Sequence, residues 1–154
     1  MQPTEMLQKR LGDIYDQLAR LRPDSPPEEF LKFASFFAED STVYLRSMRE
    51  HADPAQGRAA IIEHLRDILK DQILEERRIV SQATNQDENH IFSEMENKYT
   101  VHGQILDPFH EVAVVTFSDA GLVSLWKQYS CRSPFVFFIQ KATGVGPYNE
   151  SVVK

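Results

Sequence analysis

A single cysteine, Cys131, rules out an internal disulfide and any cysteine-built metal cluster. Glycine is sparse, with six in 154 residues, and no Gly-rich phosphate loop can be assembled from them. Positive charge is also in short supply. Against 23 acidic residues stand 17 Lys and Arg, for a net charge of -6, and the basic pair Arg77-Arg78 follows directly on Glu75-Glu76. General nucleic-acid binding needs a basic surface that displaces counterions from phosphates, so that class is set aside. No apolar run approaches the roughly 20 residues needed to span a bilayer. The opening "MQPTEM" has no basic segment leading into an apolar stretch, so no signal peptide is read and the cytoplasm is the expected compartment. His51, His64, His90, His102 and His110 show no helical His-x-x-x-His pair, and no metal is expected.

What is present suits a globular chain: 42% hydrophobic and 26% charged residues, enough for one domain over 1–154 with 1–3 and 144–154 as loose tails. Thr4 can cap a first helix whose stripe is Leu7, Leu11, Ile14, Leu18 and Leu21, ending before Pro23. Ser25 can cap a second, with Pro26 or Pro27 in its first turn and Phe30, Phe33, Phe36 and Phe37 along it, ending near Glu39-Asp40. "TVYLRS" alternates as a short strand, and Arg58–Gln72 reads as a third helix with Ile61, Leu65, Ile68 and Leu69 inward. The period then changes to two. Ile79–Asn85, His90–His102, His110–Ser118 and Leu122–Cys131 read as strands, joined through "NQDEN", "GQILDP" and "SDAG". Pro134 opens a last segment, "PFVFFIQKA", read as a terminal helix with a strand as the other option. Helices first and antiparallel strands after define the α+β class.

Three stretches, taken in order, resemble the SnoaL-like group of the nuclear-transport-factor-two-like superfamily. "FASFFAEDSTVYL" is similar to its helix, acidic residue and first strand. "GRAAIIEHL" is similar to its Gly-Arg-x-x-Ile opening of the third helix. "FSDAGLVSLWKQYSC" is similar to its Phe-x-x-x-Gly-Leu-Ile turn and Arg-x-x-Tyr-x-Asp strand. The group includes polyketide cyclases, and its relatives include scytalone dehydratase, ketosteroid isomerase and limonene epoxide hydrolase. The resemblance implies a cone-shaped half-barrel, a curved antiparallel sheet wrapped around N-terminal helices with a pocket at the wide end. It also implies cofactor-free chemistry and a homodimer through the sheet. One departure matters: where many members carry an Asp after the Tyr, this chain has Cys131.

Several residues can carry chemistry. His64 falls on the apolar side of the third helix, three after Ile61 and four before Ile68. Histidine ordinarily titrates near ~6.5, which suits proton transfer; the bland alternative is a core-edge ring bonded to a backbone carbonyl. Asp40 can orient His64 or act as a base, or else cap a turn or pair with Arg58. Tyr44 and Arg46 share one face of their strand, where Arg46 can bind a carbonyl or enolate; an exposed face is the alternative. On "HIFSEMENKYTVH" the face Ile91, Met95, Asn97, Tyr99, Val101 is expected inside, with Asn97 and Tyr99 positioning a ligand. On the last strand the resemblance implies Tyr129 and position 131 facing the pocket, with Cys131 a small apolar group rather than a nucleophile. Trp126 and Gln128 then face outward as dimer anchors. Phe135 and Phe138 can close the wide end, and His51 can belong to a loop over its mouth.

The expected function is a cofactor-independent isomerase or cyclase, or a dehydratase. It would move protons on an apolar natural-product intermediate of polyketide or terpenoid type, with His64 and Asp40 as catalytic pair. The alternative is a non-catalytic ligand- or protein-binding module on the same cone.

Overall fold

A computed structural model describes residues 2–48 and 53–153. The chain runs α1 (Thr4–Arg20), α2 (Pro27–Ala34), β1 (Phe37–Ser47), β2 (Ala55–Gln56), α3 (Gly57–Leu69), β3 (Gln72–Glu76), β4 (Ile79–Asn85), β5 (His90–Val101), β6 (Gln104–Phe117), β7 (Val123–Ser130), α4 (Ser133–Thr143) and α5 (Glu150–Val153). One sheet holds all the strands in the order β2-β1-β7-β6-β5-β3, and β4 also pairs with β5. Its pairs are antiparallel except β1 with β7, which run parallel.

The sheet curls around the helices, and the curl has local causes. On β6 the residues Asp107 and Pro108 sit opposite Lys98 alone, because Asn97 pairs with Phe109 and Tyr99 with Leu106. On β7 Ser124 is an extra residue, since Phe117 pairs with Val123 and Thr116 with Leu125. Each extra residue bends its strand and sharpens the twist.

Against the concave face lie Leu7, Leu11, Ile14 and Tyr15 of α1, Phe30 and Phe33 of α2, and Ile61, Leu65 and Leu69 of α3. Phe30, Phe33 and Phe37 are fully buried, and each such ring contributes about 1.5–3 kcal/mol of transfer free energy. Gln17, also buried, ties α1 to α2 by donating to the Glu29 carboxylate at 2.8 Å.

Several helix ends differ from expectation. Pro3 and Pro26, both extended, hold the N-cap positions of α1 and α2. Thr4 lies inside the first turn with its hydroxyl 2.7 Å from that of Thr84, and Ser25 accepts from the Arg22 amide. α2 stops at Ala34 instead of running to Glu39-Asp40. The Phe36 carbonyl accepts from the Val123 amide, so backbone pairing with β7 overrides a helical spacing of phenylalanines. α3 ends at Leu69, and the next residues form β3, which buries Leu74. Of "GQILDP", only Gly103 is in the turn, and β6 begins at Gln104. The C-terminal segment is tied down: the Gln140 side chain donates to the Tyr148 carbonyl and accepts from its amide, both at 2.8 Å.

Gly57 opens α3 for a steric reason. Its φ is +80°, and a Cβ there would stand 3.0 Å from the Glu39 carbonyl oxygen. Only glycine accepts both conditions without strain.

Candidate active site: a buried carboxylate chamber

Strands β5, β6 and β7 lie side by side, and each sends polar side chains to the concave face. From β5 come Asn97 and Tyr99, buried in the row Ile91, Ser93, Met95, Asn97, Tyr99, Val101 as strand alternation requires. From β6 comes Glu111, on the buried row Phe109, Glu111, Ala113, Val115, Phe117. From β7 come Trp126 and Gln128, 3% and 7% exposed. The last two correct the sequence reading, which placed them outward as dimer anchors. Ser124 is the reason: one extra residue shifts every side chain beyond it to the other face. The same slip turns Tyr129 outward, 44% exposed, and leaves Cys131 exposed beyond the strand, its thiol 3.5 Å from the Ser133 hydroxyl.

Glu111 is 6% exposed and sits at the centre of this cluster. Its Oε1 accepts from Asn97 Nδ2 and from the Tyr99 hydroxyl, and its Oε2 accepts from Gln128 Nε2 at 2.8 Å. Both amides are held in one orientation by their other ends. Asn97 Oδ1 accepts from the Arg78 amide at 3.0 Å, and Gln128 Oε1 from Trp126 Nε1 at 3.1 Å. A carboxylate offers about four lone-pair sites, and the described residues take three, which leaves one on Oε2 open among them.

Burial pushes the Glu111 carboxyl above the ordinary glutamate range. Hydrogen bonds from Tyr99, Asn97 and Gln128, with the positive charge of Arg132, pull the other way without cancelling it. Burial likewise drives Tyr99 and Tyr15 well above the usual phenol, with the Glu111 charge adding to it, so both hold their protons.

Tyr15 reaches the cluster from α1. Its hydroxyl is buried beside Glu111 and within reach of the Gln128 amide, but makes no well-formed hydrogen bond among the described residues. Its ring is fixed between Trp126, at 5.5 Å between centroids, and the Arg77 guanidinium, 4.7 Å from the ring centre. Tyr15, Tyr99, Glu111, Trp126 and Gln128 line a small chamber of about 60 Å³ together with Leu18, Leu45, Leu65, Ile68, Leu69, Leu74 and Phe135, with Arg132 and Ser130 at one side. Phe135, opening α4, packs edge-on against Tyr99 and Phe109.

The remaining expected site residues lie elsewhere. His64, Tyr44 and Arg46 line a wider groove of about 680 Å³ between β1 and α3. Arg46 is paired there with Asp67 at 2.7 Å. Asp40 is exposed on β1 and lines neither cavity. Arg58 does not reach for a carboxylate but donates to the Phe37 carbonyl at 2.8 Å. Phe138 is half-buried against the core rim. His51 lies outside the described residues. Of the expected set, Tyr99 and Phe135 line this chamber, and Asn97 bonds to the Glu111 that lines it. Glu111 and Tyr15 were missed, although Glu111 interrupts an alternating apolar row and was legible by parity alone.

A curled sheet closing on three helices, with a polar chamber inside, is the cone of the SnoaL-like, nuclear-transport-factor-two-like fold, and solved structures share it. A protein of Xanthomonas campestris pv. campestris, provisionally named a polyketide cyclase, matches with a TM-score of 0.67 at 15% identity, covering 88% of this chain and 97% of that one. An LEH-like epoxide hydrolase of Mycobacterium tuberculosis matches with a TM-score of 0.64 at 14% identity, covering 90% and 92%. SalBIII, described as an epoxide hydrolase/cyclase-like enzyme with a role in pyran ring formation in the polyether salinomycin, matches at 0.62 and 17%, covering 85% and 95%. At these identities the likeness is one of fold. No family model and no curated protein matches the chain in sequence. Among the described residues no helix is long and apolar enough to cross a membrane.

Proposed function

We propose that the protein is a cofactor-independent acid–base enzyme, an isomerase or cyclase acting on an apolar, oxygen-bearing small molecule of polyketide or terpenoid type. The observation that carries this reading is Glu111, a buried carboxylate held by three oriented donors, with one lone pair open among the described residues, beside the buried Tyr15 hydroxyl, whose proton is engaged by none of them. In the isomerising form Glu111 Oε2 takes a proton from a carbon next to a carbonyl. The electron pair moves onto the carbonyl oxygen, Tyr15 donates to that oxygen, and Glu111 returns the proton to another carbon. In the ring-forming variant Glu111 takes the proton of a hydroxyl as it attacks an epoxide carbon. The C–O bond breaks, and the leaving oxygen takes the Tyr15 proton. The names of the matching structures, cyclase and epoxide hydrolase, support both forms.

Arg132 stands beside the carboxylate, and Tyr99 and Phe135, backed by Phe109, give the chamber an aromatic wall. Low dielectric strengthens each of these hydrogen bonds. The proposal moves the chemistry from His64 and Asp40 to Glu111 and Tyr15.

The test is deuterium incorporation from D2O into a panel of apolar cyclic ketones, followed by proton NMR, with ring opening of apolar epoxides alongside. Wild type should catalyse one of the two, and Glu111→Gln should lose roughly 10²–10⁴-fold of that rate. Equal rates for wild type and Glu111→Gln would leave the cone as a binding module.

A further inference from the structure

The chamber around Glu111 has room for a few waters or one small oxygenated group, far less than a polyketide or terpenoid skeleton. The wide groove between β1 and α3 has more than enough room for such a skeleton, and it has no part in the chemistry above. Two residues belong to both. Leu45 of β1 and Ile68 of α3 line the inner chamber with one side and the outer groove with the other. Both are half-buried, and Leu45 packs against the edge of the core.

The lining of the groove is divided by chemistry. Its apolar part is Val43, Leu45, Ile68 and Pro54. Its polar part mixes signs, with Arg66 and Lys70 against Asp53 and Glu63, and the Arg46–Asp67 pair across it. Tyr44 and His64 add further hydrogen-bonding capacity. A purely apolar ligand would leave these groups stripped of water at a cost, and a purely ionic one would leave the apolar part unused.

We propose that the groove is a second binding site, the one that holds the body of the substrate, and that Leu45 and Ile68 form the neck through which only its reacting end reaches Glu111. The ligand class is an amphiphile: a fused-ring or branched apolar body with polar substituents, carrying one slim carbonyl, hydroxyl or epoxide end. The neck then sets specificity by width, and the groove by the placement of polar substituents. His64, Tyr44 and Arg46 become binding residues of the substrate's far end. The assignment of a reacting end rests on the Glu111 proposal; the route and the groove do not.

Trp126 is the only tryptophan and lines the inner chamber, so its fluorescence reports access without any knowledge of the substrate. The probe is acrylamide, a small neutral quencher. Leu45→Ala and Ile68→Ala should each raise the Trp126 quenching constant severalfold, and Ile68→Phe should lower it below wild type. Leu18→Ala, at a half-buried leucine lining the same chamber from α1, should leave it unchanged. Circular dichroism and thermal melts check that each variant is folded. The amphiphilic dye 1-anilinonaphthalene-8-sulfonate should bind the groove and return the quenching of Leu45→Ala toward the wild-type value. No rise in either neck variant, an equal rise in Leu18→Ala, or dye binding without protection would each overturn the proposal. These outcomes involve no turnover, so they stand apart from the fate of Glu111→Gln in the deuterium assay.

Discussion

Replacing Glu111 with Gln tests the electrostatics of the chamber before any substrate is known. The side chain keeps its shape. With its carbonyl oxygen in the place of Oε1 it still accepts from Asn97 and Tyr99. Its new amide nitrogen then meets Gln128 Nε2, donor against donor. Gln128 cannot flip to relieve this without losing the bond from Trp126. One buried donor left unmatched costs about 1–3 kcal/mol. The opposing effect is the removal of a buried charge, and its size depends on pH. Because burial raises the Glu111 carboxyl above its unfolded value, the folded state holds the proton more tightly than the unfolded chain. Its contribution to stability is therefore complete below the unfolded glutamate value of about 4.3 and is lost as pH rises through the folded value, at ~1.4 kcal/mol for each unit separating the two. Urea unfolding of both proteins from pH 4 to pH 8 reads this directly. Glu111→Gln should be less stable than wild type at pH 4, by the mismatch alone, and the gap should narrow or reverse by pH 8. Carbon NMR of the side-chain carboxyl gives the titration itself. A gap independent of pH, or a carboxyl titrating at or below an exposed glutamate, would refute the reasoning.

Tyr15→Phe removes a buried hydroxyl with no well-formed hydrogen bond among the described residues, so thermal stability should hold or rise by up to ~1 kcal/mol. Turnover in the assay responsive to Glu111 should meanwhile fall roughly 10²–10³-fold, as for loss of an oxyanion donor. Asp40→Asn should leave turnover unchanged, while His64→Ala should raise KM more than it lowers kcat; equal loss of kcat in both would restore the helix-side pair as the catalysts. Gly57→Ala places a Cβ at positive φ against the Glu39 carbonyl and should cost about 1–2 kcal/mol in denaturant titration. A homodimer, if it forms through the sheet, must use the convex face, where Phe92 is 41% exposed beside Val112, Val114 and Tyr129. Phe92→Glu should then yield monomers in sedimentation velocity, and Trp126 and Gln128 should have no part in it.

The parts of the fold that rest on uninterrupted periodicity were legible. The α1 stripe, the inner row of β5 and the strand β4 follow from spacing alone, because tertiary packing there agrees with local pattern. The errors cluster where backbone pairing or an extra residue intervened. The phenylalanines of 30–37 keep a helical spacing, yet Phe37 belongs to a strand because β7 offers its backbone a partner. In β7 the reading failed at one residue, Ser124, and a shift of one inverts all that follows. It exchanged Tyr129 and Cys131 for Trp126 and Gln128, and with them the lining of the site.

That inversion also bears on the missing acid. The resemblance put an Asp at position 131, and its absence turned attention to the helices. The register of the sheet shows another solution: Glu111 of β6 stands directly opposite Ser130. On the proposed reading the carboxylate comes from the neighbouring strand, next to position 131. Two side chains of adjacent antiparallel strands can present a charge to nearly the same volume. A carboxylate brought from β6 has a benefit that position 131 lacks. It lies within the sheet, where Asn97 of β5 and Gln128 of β7 flank it from both sides, and its orientation is fixed by strands rather than by the turn into α4. Loss of the Asp at 131 is then no argument against acid–base chemistry, provided Glu111 carries it.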